Sequence, residues 1–191
     1  MENKSNSFLQ IKNMVCPRCI AAVERIFDEL NIPAKVELGQ AKLSEDLTEL
    51  VRSTLSEKLN QAGFELLEDS KSVLISRIKT IIIDRIHHQE NPPESNLSEF
   101  LSRELAHDYS YLSRLFSSVE GQTIERFTAK QRTEKIKELL IYGEETLAEI
   151  TDQLGFNSVA YLSAQFKKET GITPSQFKKQ TKPSRISLDR L

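Results

Sequence analysis

Hydrophobic positions along the first third of the chain change period several times. Phe8 to Met14 alternates in the manner of a short strand. From Cys19, Ile20, Val23, Ile26, Phe27 and Leu30 fall at helical spacing, and Asn31-Ile32-Pro33 ends that run. Lys35–Leu38 and Ala41–Leu43 read as strands around a turn at Gly39. Leu47 to Ala62 predicts an amphipathic helix with Leu47, Leu50, Val51, Leu55 and Leu59 on one stripe. Gly63 closes it, and Phe64–Leu67 supplies a last strand. The order is β-α-β-β-α-β.

From Lys71 onward the period is helical throughout. Val73–His87 predicts a buried helix despite the run Ile81-Ile82-Ile83, which could also serve a dimer face. Gln89–Ser95, with Pro92-Pro93, predicts a loop. Beyond it the chain repeats itself. Tyr111-Leu112-Ser113, Phe116, Gly121, Thr123 and Phe127 recur 50 positions later as Tyr161-Leu162-Ser163, Phe166, Gly171, Thr173 and Phe177. Upstream, Leu101 and Leu105 match Ile150 and Leu154 at a spacing of 49. Each copy predicts two helices joined by a short turn: Leu97–Leu105 and Tyr109–Val119 in the first, Leu147–Leu154 and Ser158–Glu169 in the second. Asn96-Leu97-Ser98-Glu99 and Thr146-Leu147-Ala148-Glu149 have the form of capping boxes at the two starts. Thr123–Tyr142 predicts a long helix between the copies, and Thr173-Pro174 starts another. The expected fold is therefore an α+β N-terminal ferredoxin-like (βαββαβ) domain over 6–70, followed by an all-α double helix-turn-helix domain over 71–180. A flexible tail over 181–191 is expected after them.

A helix-turn-helix places its second helix in a DNA major groove. On that reading Leu101, Leu105, Leu112, Leu115 and Phe116 form the first core, leaving Ser110, Ser113, Arg114 and Ser117 outward. Arg114 can donate two hydrogen bonds to guanine. Ile150, Leu154, Phe156, Leu162 and Phe166 form the second core, leaving Val159, Ala160, Ser163, Ala164, Gln165, Lys167 and Lys168 outward. Ala164 stands where the first copy has Arg114. The first reader should therefore carry most of the specificity, while the second adds apolar contacts and phosphate anchoring. The opposing reading is a helical bundle that binds protein and not DNA, in a metal-carrying or scaffolding chain.

Charge bears on this choice. The net charge is −2 over 191 residues, and 97–180 holds 11 Lys/Arg against 12 Asp/Glu. DNA binders often show basic excess. Here any phosphate contacts must come from where the charges sit. No transmembrane-length apolar run or secretory start is seen, so a cytoplasmic protein without a membrane partner is expected. Catalytic motifs are missing, and enzyme activity is not expected.

Residues 73–180 resemble the DNA-binding domain of the AraC/XylS family of bacterial transcription regulators. The likeness rests on Tyr111-Leu112-Ser113-Arg114-Leu115-Phe116, Lys137-Glu138-Leu139-Leu140, Glu149-Ile150, Leu154-Gly155-Phe156, Phe166-Lys167-Lys168 and Gly171-Ile172-Thr173-Pro174-Ser175-Gln176-Phe177. The resemblance implies seven helices, two readers joined by a linker helix, double-stranded promoter DNA as partner, and action with RNA polymerase. It puts Ser110, Ser113 and Arg114, and Val159, Ala160, Ser163 and Ala164, at base-facing positions. Many family members have Gly where this chain has Ala106.

The two cysteines, Cys16 and Cys19, sit in Met14-Val15-Cys16-Pro17-Arg18-Cys19 between a strand and a helix. Thiolates at a helix N-terminus have a lowered pKa. With no third ligand in the motif, the pair suits Cu(I) or another soft ion better than tetrahedral Zn²⁺. A thiol–disulfide switch and an inert scaffold are the competing readings. This region resembles the heavy-metal-associated domain of copper chaperones and transport ATPases, with Asn13 and Val15 departing from the usual Gly-Met-Thr-Cys start. Joined to a DNA-binding domain, it implies a metal or redox sensor, linked through the Val73–His87 helix. His87 and His88 read as a solvated helix end, and His107 as exposed or a phosphate contact.

Overall fold

The structure is a computed structural model, described over residues 8–67, 69–89, 96–180 and 185–188. Residues 6–7 of the expected first domain, most of the expected loop at Gln89–Ser95, and most of the expected tail lie outside the described residues. The chain divides into two compact units, Met1–Ile81 and Ile82–Leu191.

In the first unit the elements run β1 (Phe8–Lys12), α1 (Pro17–Glu29), β2 (Ala34–Glu37), β3 (Gln40–Leu43), α2 (Glu49–Gln61) and β4 (Glu65–Leu67). The four strands form one antiparallel sheet in the order β2-β3-β1-β4. The expected element order is thus present. The central strand β1 is paired on both edges, with Leu9 opposite Ala41 and Ile11 opposite Leu66. Alternation along β1 sends Leu9 and Ile11 inward, onto Val23, Ile26 and Phe27 of α1 and Leu55 and Leu59 of α2. The stripe on α2 is narrower than its periodicity suggests. Thr48 caps the helix by accepting from the Val51 amide, so Leu47 precedes it, and Val51, Leu55 and Leu59 face inward at steps of four. Leu50, 100° away on the helix, is 78% exposed. Gly39, in the β2–β3 turn at φ +80°, admits the Thr80 side chain so closely that a Cβ would lie 2.6 Å from its Oγ1.

Helix α3 (Ser70–Ile83) runs through the division between the units and continues as one π-helical turn, Asp84–His88, closed by the Gln89 amide bonding Asp84 O. The second unit then contains α4 (Leu97–Leu105), α5 (Tyr109–Glu120), α6 (Ile124–Tyr142), α7 (Leu147–Gln153), α8 (Val159–Thr170) and α9 (Pro174–Lys178). Counting α3, the described residues hold the seven helices that the family resemblance implies. Thr146 and Glu149 form the expected capping box, and Thr173 and Gln176 form a further one at the expected start of α9. The box expected at Asn96 is half made: its side chain accepts from the Ser98 amide.

The two copies share one core plan. Leu101, Leu105, Leu112 and Phe116 are buried in the first, and Ile150, Leu154, Leu162 and Phe166 in the second. Phe116 packs on Phe127 with ring centroids 5.7 Å apart, and Phe166 packs on Phe177 at 5.6 Å. Both members of the second pair lie 50 positions after those of the first. Leu115 and Phe156, expected in the cores, are half-buried.

The turns also match. Ala106 stands at φ +54° and its counterpart Gly155 at φ +65°. A Cβ in this left-handed region is strained, and glycine escapes the strain at some cost in unfolded-state entropy. Ala106→Gly should therefore raise the stability of the second unit by about 0.5–1 kcal/mol, read from urea midpoints.

Candidate nucleic-acid interface

Helices α5 and α8 are the second helices of the two repeats, and each divides into two faces. On α5, Leu112 and Phe116 are fully buried, while Ser110 and Arg114 are exposed and Ser113 and Ser117 half-buried. On α8, Leu162 and Phe166 are fully buried. Val159, Ala160, Ala164, Lys167 and Lys168 are exposed, and Ser163 is half-buried. Helical geometry produces this division, because positions 112 and 116, or 162 and 166, are one turn apart on the inner side. The structure thus places every DNA-reading residue expected from sequence at least partly outside the core. The Arg114 Nε donates to Ser110 O at 3.2 Å, which holds the stem against its own helix, and the residue is exposed.

Each reader is oriented by α6, in ways the hydrophobic pattern does not show. The Tyr109 hydroxyl donates to Glu125 Oε1 at 2.5 Å, tying the start of α5 to the first turn of α6. Partial burial and the carboxylate together push the Tyr109 phenol well above its ordinary pKa. Tyr109 is thus a positioning residue. Further along α6, the Arg132 guanidinium lies 5.3 Å from the centre of the Phe156 ring, in the turn between α7 and α8. Ile136, Leu139 and Leu140 of the same helix join the core formed by Ile150, Leu162 and Phe166. Both readers therefore pack on one helix.

A family model for the helix-turn-helix domain matches residues 101–180. The C-terminal domain of AraT, a response regulator from Geobacillus stearothermophilus, superposes with a TM-score of 0.50 at 27% identity, covering 62% of this chain and 92% of that one. Residues 101–180 of the second unit thus form a helix-turn-helix domain. Among curated proteins, the chain is 29% identical over 111 residues to the uncharacterized transcriptional regulatory protein YesN of Bacillus subtilis, covering 57% of this chain and 29% of YesN. It is 24% identical over 110 residues to the thermoregulatory protein LcrF of Yersinia pestis, covering 51% of this chain and 41% of LcrF. The chain thus spans well under half the length of these relatives. The matched helix-turn-helix domain begins beyond the first unit and does not include the cysteine motif.

In that motif, Pro17 opens α1, two residues before the helix start read from periodicity, and Cys16 is its N-cap in an extended conformation. Cys19 lies in the first turn, with its Sγ 3.4 Å from that of Cys16. Asn13, just before the cysteine motif, stands at φ +72°. Asparagine tolerates that conformation better than other non-glycine residues. Its side chain also donates to Gly63 O at 3.0 Å, joining the motif to the end of α2. The expected lowering of thiol pKa is not found at Cys19. Burial pushes this thiol up, outweighing the help of its backbone hydrogen bonds. Among the described residues no group of three or more His, Cys, Asp or Glu is placed to hold a metal, and no helix is long and apolar enough to cross a membrane.

The histidine reading needs correction at one position. His88 is exposed, as expected. His87 is drawn in by the π-helical turn, which breaks the 3.6-residue period, and its Nε2 lies 3.0 Å from Gln131 Oε1 on α6.

Proposed function

We propose that this protein is a sequence-specific regulator of transcription that binds double-stranded promoter DNA. The observation that carries this reading is the pair of two-faced helices, α5 and α8. Each is the second helix of a repeated helix-turn-helix, and each leaves outward the residues that a groove reader needs. Arg114 supplies bidentate recognition of guanine, with Ser110, Ser113 and Ser117 beside it. Val159, Ala160 and Ala164 offer methyl-sized contacts that suit thymine, Ser163 a hydroxyl, and Lys167 and Lys168 the phosphates. A relative from Yersinia enterocolitica, 24% identical over 109 residues, is named a virulence regulon transcriptional activator. By analogy, RNA polymerase is the second partner here.

Selection of genomic fragments on the purified chain would identify a preferred site, and Arg114→Ala would then test the reading. The substitution should weaken that site by about 1–3 kcal/mol, roughly 5–150-fold, and leave random-sequence binding nearly unchanged. Equal affinity of parent and variant for the selected site would remove Arg114 from the reader. Lys167→Ala should weaken all sequences alike and lower the salt slope by about one.

For the first unit we propose a ferredoxin-like, heavy-metal-associated role, with Cys16 and Cys19 as ligands of Cu(I) or another soft ion. The strand order and the 3.4 Å sulfur separation support it. Two thiolates that close can meet one ion at bond lengths of about 2.3 Å. Because burial holds the Cys19 proton on, binding must release it, and affinity should rise with pH. The expected result is one Cu(I) per chain in chelator competition, lost in Cys16→Ser/Cys19→Ser. A parent chain that takes up no Cu(I), but forms a reversible Cys16–Cys19 disulfide, would favour redox switching instead.

A further inference from the structure

We propose that a cavity within the second unit binds a small organic anion, a carboxylate or phosphate on an apolar body, with Arg132 as its counter-charge. The cavity measures about 1200 Å³ and is bounded by the π-helical turn, the start of α4, one face of α6, the α7–α8 turn and the inner flank of α8. That is room enough for a ligand of metabolite size. Its walls mix aliphatic and aromatic groups, among them Ile82, Ile136, Phe156 and Tyr161.

One cation inside it has no carboxylate partner among the described residues. Arg132 projects from α6 over the Phe156 ring, and among the described residues it forms no hydrogen bond or ion pair. A desolvated guanidinium normally has a carboxylate partner, and an aromatic face replaces only part of that stabilisation. The charge acting on it most strongly is a second cation, Arg85, which also lines the cavity and lies over the Phe100 ring. Burial, and then this neighbour, hold the Arg132 pKa below the ordinary arginine value. Glu125, Asp152 and Glu169 belong to the same walls, yet none pairs with Arg132, and Glu125 is engaged by Tyr109. The Gln153 side-chain oxygen, also in the wall, is buried without a donor. An anion carrying a hydroxyl would satisfy both the cation and this oxygen.

The ligand would lie behind the α7–α8 turn, against Phe156 and Tyr161, where its presence bears on how the second reader sits on α6. The binding itself does not depend on the DNA reading, and the test needs no DNA. The full chain is titrated by calorimetry with benzoate, phenyl phosphate and the neutral isostere phenol. At least one anion should bind at a single site per chain, with phenol far weaker. Arg132→Gln should weaken the anion by about 10–100-fold, the usual worth of a charge-assisted bond. Ala129→Met fills the cavity from α6 while leaving Arg132 in place. It should weaken the anion too, and it serves if the arginine variant fails to fold.

Absence of binding by both anions up to about 10 mM overturns the proposal. So does phenol binding as tightly as the anions, or both variants binding like the parent. A DNA backbone phosphate is the other possible source of the charge. If neither small anion binds, but Arg132→Gln lowers the salt slope of DNA binding by about one, the arginine answers DNA and the small-molecule site is rejected.

Discussion

Phe116→Ala and Phe166→Ala each destabilise the second unit by about 3–5 kcal/mol, measured by urea unfolding followed through helical circular dichroism. Both rings are fully buried, and each packs on a second phenylalanine within 6 Å, Phe127 or Phe177. Removing one leaves a cavity and forfeits an aromatic contact, and the closely packed helices around it relax only in part. The repeat makes the comparison sharp. Phe127 comes from the long helix α6 and Phe177 from the short helix α9, so the pairs are alike in geometry and unlike in support. The Phe166 variant should lose α8 docking through α9, whereas the Phe116 variant should strip α5 from α6. A loss below about 1 kcal/mol at either site would mean that the ring is not buried as described.

The second large effect is a loss of stability on acidification through His87. Burial lowers the pKa of this imidazole to about 4, against 6.5 for the free side chain. The groups facing it are Gln131, Lys135 and Glu138 on α6 and His88 beside it. Gln131 and Glu138 favour the proton, Lys135 and His88 oppose it, and burial outweighs them all. The sign follows from proton counting. Between about pH 6.5 and 4 the unfolded chain holds a proton on His87 that the folded chain lacks, so stability falls as pH falls through this window. Below about pH 4 both states are protonated and the loss levels off, at a total on the order of 3 kcal/mol. His87→Gln should flatten the pH dependence over this range in urea titrations. An unchanged slope would show that His87 is solvated after all.

Much of the second unit was legible in the sequence because it is written twice. The recurrence of Tyr-Leu-Ser and of the paired phenylalanines at a spacing of 50 separates core positions from surface ones without any structure. The outward faces of α5 and α8 follow from the same spacing. What stayed hidden depends on partners far away along the chain. Gln131, Glu134 and Lys137 are polar yet buried on α6. Lys137 pairs with Glu134 at 2.6 Å, Glu134 also accepts from the Ile186 amide, and Glu138 from Arg185. Those contacts fix residues 185–186 of the tail, which composition alone marks as loose. The inward turn of His87 was equally unreadable, because it comes from a widened helical turn that leaves no mark in hydrophobic spacing. In the first unit the alternation of β1 was plain. The exposure of Leu50 and the buried thiol of Cys19 were not, since one depends on where Thr48 caps α2 and the other on packing around α1.

Helix α6 has a consequence for any operator. Its buried residues extend from Ile124 to Leu140, and it carries contacts to both readers, so neither can swivel on it without unmaking a core. On the DNA-reading function proposed above, the second unit would therefore act as a gauge of fixed length and phase. Adding one base pair between the two contacted stretches turns one of them by about 35° around the duplex axis. Nothing in α6 can absorb that rotation, so the misfit falls on the DNA. Twisting or bending the duplex back into phase costs an energy that depends on the sequence deformed, so sequences at the untouched centre of an operator would still be selected, for pliancy and not for their base edges.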